Sequence, residues 1–512
     1  MKKTISFLSL LLIIGFLITG CKDSATPAYY DFIPGDAYGV LSLKAKQLID
    51  KSGVDEEYSA SIVNALGDYL PADMPARMER LLKNGKEAGI DLHEDLFVFM
   101  VEDAGFAGMV MKVEDPARLK EAFKILQTEG GFASLKEENG YYRAVLDESS
   151  VCVFNDDVLI SIVSLQSGWE QSATYASSLI CSRSEQAFSA KKVFKKMQEG
   201  NQDISFILPF GDYMQQYASG GMLNVAAGMN VEDMYIIGAL HFEPGEIKLS
   251  YELFSTNMTS IDKMKRLSAY WHKMNNRFIS FFPESTLMYA GMNIDGEEFY
   301  SMLDENKLWD GIGMNKAEKT ELKNSLSSLK GDISAGVTGF FGMGIPAVSL
   351  YAEVKDDRVL DYVIKLLKEQ NYFRGDLKVV RNKEYEFNYK MLNLSVYFGM
   401  RDNLFYLTTD KARCADITRK ADKPLTHSPY VADLKQSYSG WVINVEEVVK
   451  LPLFAMGMYL YGGVHSELLY NVFSELAYVE ALSESDTKFV LNLHLKNKET
   501  NSLRMLLSFF NL

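Results

Sequence analysis

Histidine and cysteine are scarce in this chain, six and four in 512 residues. None of His93, His241, His272, His427, His465 and His494 has a second His or Cys at ligand spacing, so the clustered donors of a zinc site are not spelled out. No Gly-x-Gly-x-x-Gly follows a strand, and there is no phosphate loop, no Gly-x-Ser-x-Gly elbow and no His-Glu-x-x-His helix. No cofactor, metal or catalytic residue is therefore expected. Basic residues are also few: 53 Lys and Arg against 68 Asp and Glu give a net charge of -15 and a pI of about 5.1. That balance excludes a general nucleic-acid binder, whose affinity comes from clustered cations. Long apolar runs are missing as well. The longest, Ile5 to Ile18, has about 14 residues, short of the roughly 18 to 20 that a spanning helix needs.

That short run belongs to a recognisable device. Lys2 and Lys3 form a basic start, Ile5 to Ile18 an apolar core, and Leu17-Ile18-Thr19-Gly20-Cys21 resembles the lipobox of bacterial lipoproteins. An ordinary secretory signal is the alternative. Lipidation is the expectation, because small residues followed by cysteine occupy the cleavage border. Residues 1–20 then read as signal peptide and 21–29 as a short polar tether. Two or three acyl chains on Cys21, at about 0.8 kcal/mol per buried methylene, would hold the chain on a membrane surface. Lys22, standing where an Asp would signal inner-membrane retention, favours the outer membrane. Lys22-Asp23 also resembles, incompletely, the surface-export signal of Bacteroidota lipoproteins, so display on the cell surface stays open. Beyond Cys21 the remaining cysteines are Cys152, Cys181 and Cys414. Buried free thiols are expected for most of them, and a Cys152–Cys181 disulfide stays open.

The mature chain is written twice. The stretch Phe32 to Leu43, with its Pro34-Gly35-Asp36-Ala37 turn, opens one copy and Phe281 to Met292, with Pro283-Glu284-Ser285-Thr286, the other. Each is an aromatic, a proline turn, a strand and a helix. Matches recur at a separation of about 240 residues, as internal repeats do: Asp95 with Asp332, the strand Gly108 to Val113 with Ala347 to Val354, and the helix Ala117 to Gln127 with Val359 to Glu369. Leu119, Phe123 and Leu126, and Leu360, Val363, Leu366 and Leu367, share one face of their helices and belong to the core. Three short strands follow in each copy, then Ile204 to Leu208 and Trp441 to Val445, then an apolar stretch with a glycine pair, Gly220-Gly221 or Gly462-Gly463. Met234 to Ser255 is a hairpin turning at Pro244-Gly245, followed by a helix Ile261 to Met274. Phe489 to Leu495 and Leu503 to Phe510 close the second copy. Strands following strands with single helices between them predict an α+β fold of two tandem repeats, each a largely antiparallel sheet with packed helices. The repeats are expected over 30–278 and 279–512.

The aromatic-Ile-Pro-x-Asp-Ala opening behind a lipoprotein signal resembles an uncharacterised family of Bacteroidota lipoproteins defined by a domain of unknown function. The resemblance implies a compartment and carries no chemistry.

Acidic residues read as structural. Asp156-Asp157 and Asp356-Asp357 sit at turns, where carboxylates bind backbone amides. Asp95 and Asp332 recur before equivalent strands, as caps do. Methionine is the exception to this plainness. Met222 lies among small residues in the first copy, and Met456, Met458, Tyr459 and Tyr461 lie in Phe454 to Val464 of the second. Unbranched Met beside Gly suits an adaptable apolar groove; a buried helix is the plainer and favoured reading. Phe340, Phe341 and Met343 form an apolar loop between strands, where polar turn residues are usual. Tucking against the neighbouring domain is favoured there, with presentation to a partner as the alternative. Function is accordingly expected to be that of a lipid-anchored extracytoplasmic binding or interaction protein, more an interaction module than an enzyme, taking an apolar ligand or protein partner. An envelope hydrolase whose site forms only in the fold and a structural envelope component are the two alternatives.

Overall fold

The protein was analysed as a computed structural model, which describes residues 28–53, 89–101, 105–130, 135–165, 168–181, 187–211, 233–305, 314–341, 344–369, 375–391, 394–461, 463 and 466–509. Its contacts divide it into two compact units. Unit 1 comprises Met1–Phe210, Tyr235–Leu249 and Lys498–Leu512; unit 2 comprises Gly211–Met234 and Ser250–Asn497. Cys21, Met222, Met343 and the pair Gly220-Gly221 lie outside the described residues.

Among the described residues the first ten strands are β1 (Gly39–Leu43), β2 (Leu96–Val101), β3 (Phe106–Lys112), β4 (Lys136–Glu138), β5 (Tyr141–Val145), β6 (Ser150–Phe154), β7 (Val158–Ser164), β8 (Ile204–Pro209), β9 (Met234–Glu243) and β10 (Glu246–Ser255). β9 turns into β10 at Pro244-Gly245, where Gly245 takes φ 76°, a left-handed value that glycine adopts without strain. In unit 1 the ladder runs β9-β8-β1-β2-β3-β7-β6-β5-β4, antiparallel at every step.

After a two-residue β11 (Trp271–His272), the chain forms β12 (Met288–Asp295), β13 (Leu329–Phe341), β14 (Ile345–Val354), β15 (Gly375–Arg381), β16 (Glu384–Tyr389), β17 (Leu394–Arg401), β18 (Leu404–Thr408), β19 (Ser439–Ile443), β20 (Leu476–Ser483) and β21 (Lys488–Leu495). In unit 2 the ladder is β21-β20-β19-β12-β13-β14-β18-β17-β16-β15, again antiparallel throughout. From β20 to β15 the order is that of unit 1 with every strand advanced by eleven, and β21 is added beyond β20. The fold is thus α+β, two tandem repeats of an antiparallel sheet with helices packed on it.

Helices fill the crossovers. They are α1 (Ala45–Ser52), α2 (Pro116–Gly130), α3 (Trp169–Cys181), α4 (Lys192–Gln198), α5 (Met258–Leu267), α6 (Gly296–Glu305), α7 (Lys316–Leu326), α8 (Arg358–Glu369), α9 (Lys411–Ala415), α10 (Val431–Gln436), α11 (Val445–Val449), α12 (Pro452–Tyr461), α13 (Ser466–Glu475) and α14 (Ser502–Phe509). α2 buries Leu119 and Phe123 against Met109, Met111 and Phe154, and the Phe123 and Phe154 rings stack with centroids 5.2 Å apart. Burying a Phe side chain contributes about 1.5 to 3 kcal/mol. α8 does the same in unit 2, where Leu360, Val363 and Leu367 pack on Phe387, Phe398 and Phe405. Gly296 opens α6 because there is no room for more. A Cβ there would lie 1.8 Å from the Leu326 carbonyl oxygen.

Two expectations are corrected. The helix expected over Ile261 to Met274 is α5, which starts earlier and stops at Leu267; Trp271 instead pairs with Ile294 of β12. The strand expected over Trp441 to Val445 ends at Ile443, because Asn444 caps α11 by accepting from the Glu447 amide. Cys152, Cys181 and Cys414 are all free, Cys181 being exposed and the others buried. Burial pushes the Cys152 thiol up to about 12. Among the described residues no helix is long and apolar enough to cross a membrane.

Candidate functional site

Beyond β19 the chain in unit 2 forms α11, α12 and α13 in succession. Pro452 begins α12, a position where proline is favoured because its amide needs no partner and its φ is already helical. α12 carries no charged residue along its ten positions. Leu453, Met456 and Leu460 recur at helical spacing, and all are exposed, Met456 to 55% and Leu460 to 63%. A helix on a soluble surface normally turns its polar face outward. Here the outward face is apolar.

α13 continues that face with Leu469, Tyr470 and Phe473, also exposed. Phe454 joins the two helices, its ring centroid 5.7 Å from that of Phe473 and 6.4 Å from that of Tyr470. The β13–β14 hairpin tip is the third component. Gly344 has φ 96° there, and a Cβ on it would lie 3.5 Å from Leu453 Cδ1, which places the tip beside the start of α12. Phe340 and Phe341, opposite Pro346 and Ile345 on the hairpin, are 43% and 41% exposed.

The structure therefore brings together residues that the sequence placed more than a hundred positions apart. Phe340 and Phe341 are exposed at the hairpin tip, and the favoured buried helix is corrected to one with Met456 outward and Met458 half-buried. Tyr459 and Tyr461 belong to α12, but their side chains lie outside the described residues, as do Met343 and Met222. Leu453, Leu460, Leu469, Tyr470 and Phe473 were not singled out from sequence. For Leu453 and Leu460 the signal is the missing charge on α12, which periodicity alone reads as burial; Leu469, Tyr470 and Phe473 have no such signal, since α13 carries Glu467 and Glu475.

Two histidines meet carboxylates through strand geometry. On β9, His241 and Glu243 share a face, with Nε2 2.6 Å from Glu243 Oε1, while Nδ1 lies 3.3 Å from the buried Asp203. Lys51 bridges the same two carboxylates at 2.9 and 3.0 Å. In unit 2, Glu480 is fully buried; its Oε1 accepts from Asn492 at 3.0 Å and lies 3.1 Å from His494 Nε2. The His494 ring stacks on Tyr478 at 4.1 Å. His494 lies within hydrogen-bond distance of Glu480, and His241 stands between two carboxylates of its own unit. Among the described residues no three or more His, Cys, Asp or Glu side chains are grouped to hold a metal ion.

The two recurring acids hold different groups, Asp332 the backbone and Asp95 a side chain. Asp332 accepts from the amides of Asn275 at 3.0 Å and Arg277 at 2.8 Å. Burial raises its pKa above the ordinary carboxylate value, with Glu353 adding to the rise against the pull of those amides. Asp95 accepts from the Ser42 hydroxyl at 2.8 Å. Asp156 and Asp356 sit at turns, where Asp356 accepts from Arg358.

Among solved structures the chain is similar to TP0453 in three crystal forms. Form IV has 14% identity and a TM-score of 0.27, covering 45% of this chain and 81% of that one. Form I has 10% identity and a TM-score of 0.26, covering 49% and 89%, and form III 15% and 0.26, covering 49% and 90%. No curated protein matches the chain. The family described as a domain of unknown function, DUF4836, matches residues 29–503, and the chain belongs to that family.

Proposed function

We propose that this chain is a lipid-anchored extracytoplasmic interaction protein, a Bacteroidota-type lipoprotein tethered to the outer membrane through Cys21, and that it docks a protein partner on the apolar face of α12, α13 and the β13–β14 tip. The exposure of Leu453, Met456, Leu460 and Phe473 on charge-free or charge-poor helices carries this reading. Contiguous apolar surface is costly to leave in water and marks interaction sites. Leu453, Met456 and Leu460 are 44%, 55% and 63% exposed, whereas small-molecule sites are concave and enclose most of the ligand. A second apolar face of protein fits such an open surface better. Such docking is driven by apolar burial, so added salt weakens it little.

The test compares native mass spectra of the full-length protein extracted from membranes with those of the Leu453→Ser/Met456→Ser/Leu460→Ser variant. A stoichiometric protein held by the wild type and lost from the variant, at unchanged melting temperature, is expected. The same bound species on both, or a bound acyl compound in place of a protein, overturns the reading. Anchoring has its own measurement: Cys21→Ser should abolish fatty-acid labelling and shift the protein to the soluble fraction. Persistent labelling would show that the lipobox reading is wrong.

A further inference from the structure

The outermost strands of the two repeats are built differently. In unit 1 the edge is β4, only three residues long and entirely charged, Lys136-Glu137-Glu138. Short, charged edges are how sheets avoid pairing with other chains. Its counterpart in unit 2, β15, has seven residues and pairs only with β16 among the described strands. Its register is regular from Gly375, opposite Tyr389, to Val379, opposite Tyr385, and shifts only beyond Val379. Val379 is 72% exposed and Val380 45%. An edge of this length, with β-branched residues outward, is a template for strand addition.

We infer that β15 pairs with β15 of a second copy of this chain, antiparallel about Leu377, to form a homodimer through one continuous edge. The register follows from charge and face. Cross-strand partners in an antiparallel pair share a face, so a two-fold axis through the edge must pass through a residue. Centred on Lys378, the pairing sets two lysines opposite each other. Centred on Val379, it sets Leu377 opposite Arg381 and Lys378 opposite Val380. Centred on Leu377, it sets Asp376 opposite Lys378 of the second copy twice over, Leu377 opposite itself, and Gly375 opposite Val379. That register alone pairs opposite charges, and it spans the regular stretch Gly375 to Val379. Asp376 and Lys378 are both exposed. Asp376 also holds Lys390 within its own chain at 3.1 Å, a surface pair in which the Asp376 side chain stays 56% exposed. This inference does not depend on the apolar face of α12 and α13.

Sedimentation equilibrium of the full chain in detergent, with circular dichroism to confirm folding, tests it. The wild type should be a reversible dimer. Lys378→Asp and Asp376→Lys each set like charges opposite one another at two symmetric places, and each should weaken the dimer about tenfold. The double variant Asp376→Lys/Lys378→Asp re-creates the complementary pairs and should restore wild-type association. A wild type that stays monomeric at its highest soluble concentration overturns the inference. So does a dimer indifferent to the single variants, or a double variant no better than either single one.

Discussion

Phe454 of α12 and Phe473 of α13 meet edge to face, their ring planes at 79° and centroids 5.7 Å apart. That geometry is favoured by the ring quadrupole, and it ties a helix with little polar character to its neighbour through one inward side chain. Leu453, Met456 and Leu460 are left facing outward. Phe454→Ala should cost about 1 to 2 kcal/mol of stability, since the ring is half-buried and an aromatic pair is lost. Chemical denaturation measures this. A change below a few tenths would show that α12 is held some other way.

Phe340 and Phe341 are exposed, so replacing both with Ser should alter the midpoint of thermal unfolding by little, within about 0.5 kcal/mol. Two buried rings would cost about 3 to 5 kcal/mol each on truncation. The same variant should lose partner retention in the native mass experiment, because the hairpin tip adjoins Leu453. A large drop in melting temperature would place these rings in a core.

Asp295 begins α6 by accepting from the Glu297 amide at 3.0 Å and the Glu298 amide at 3.3 Å, and it also pairs with Lys330. Burial works to raise its pKa; Lys330 and the two amides outweigh burial and hold it below the ordinary 3.8. A depressed folded-state value means that the ionised carboxylate stabilises the fold above pH 3.8, and that this stability is lost as pH falls through the folded value. Asp295→Asn keeps an oxygen for the helix amides and removes the charge. Its deficit should be about 0.5 to 1 kcal/mol near neutrality and vanish in acid. A deficit independent of pH would assign the loss to shape instead of charge.

Many of the strands could be placed in advance because half-buried strands advertise themselves by apolar residues between turn formers. The hairpin at Pro244-Gly245, the strands β5 to β7 and β16 to β18, and the helices α2 and α8 all lie within a few residues of their expected places. Neither β4 nor β15 was expected, since both are largely exposed and carry too few apolar residues to show an alternation. β15 in particular, Gly-Asp-Leu-Lys-Val-Val-Arg, has one apolar residue packed inward, Leu377, against the α8 cluster.

The sequence by itself determined the class of the fold and its internal repetition, because alternation, turn chemistry and helix period are local properties that survive into any packed state. Only the tertiary structure decided which apolar stretches are core and which are surface. Phe123 and Met456 are equally apolar in the sequence, yet one is sealed beneath a sheet and the other stands in solvent. Nor could local pattern show that His241 meets Asp203, or that His494 meets Glu480. Burial and ion pairing depend on what another element brings to the same face, and that is a property of the assembled ladder, absent from any single segment.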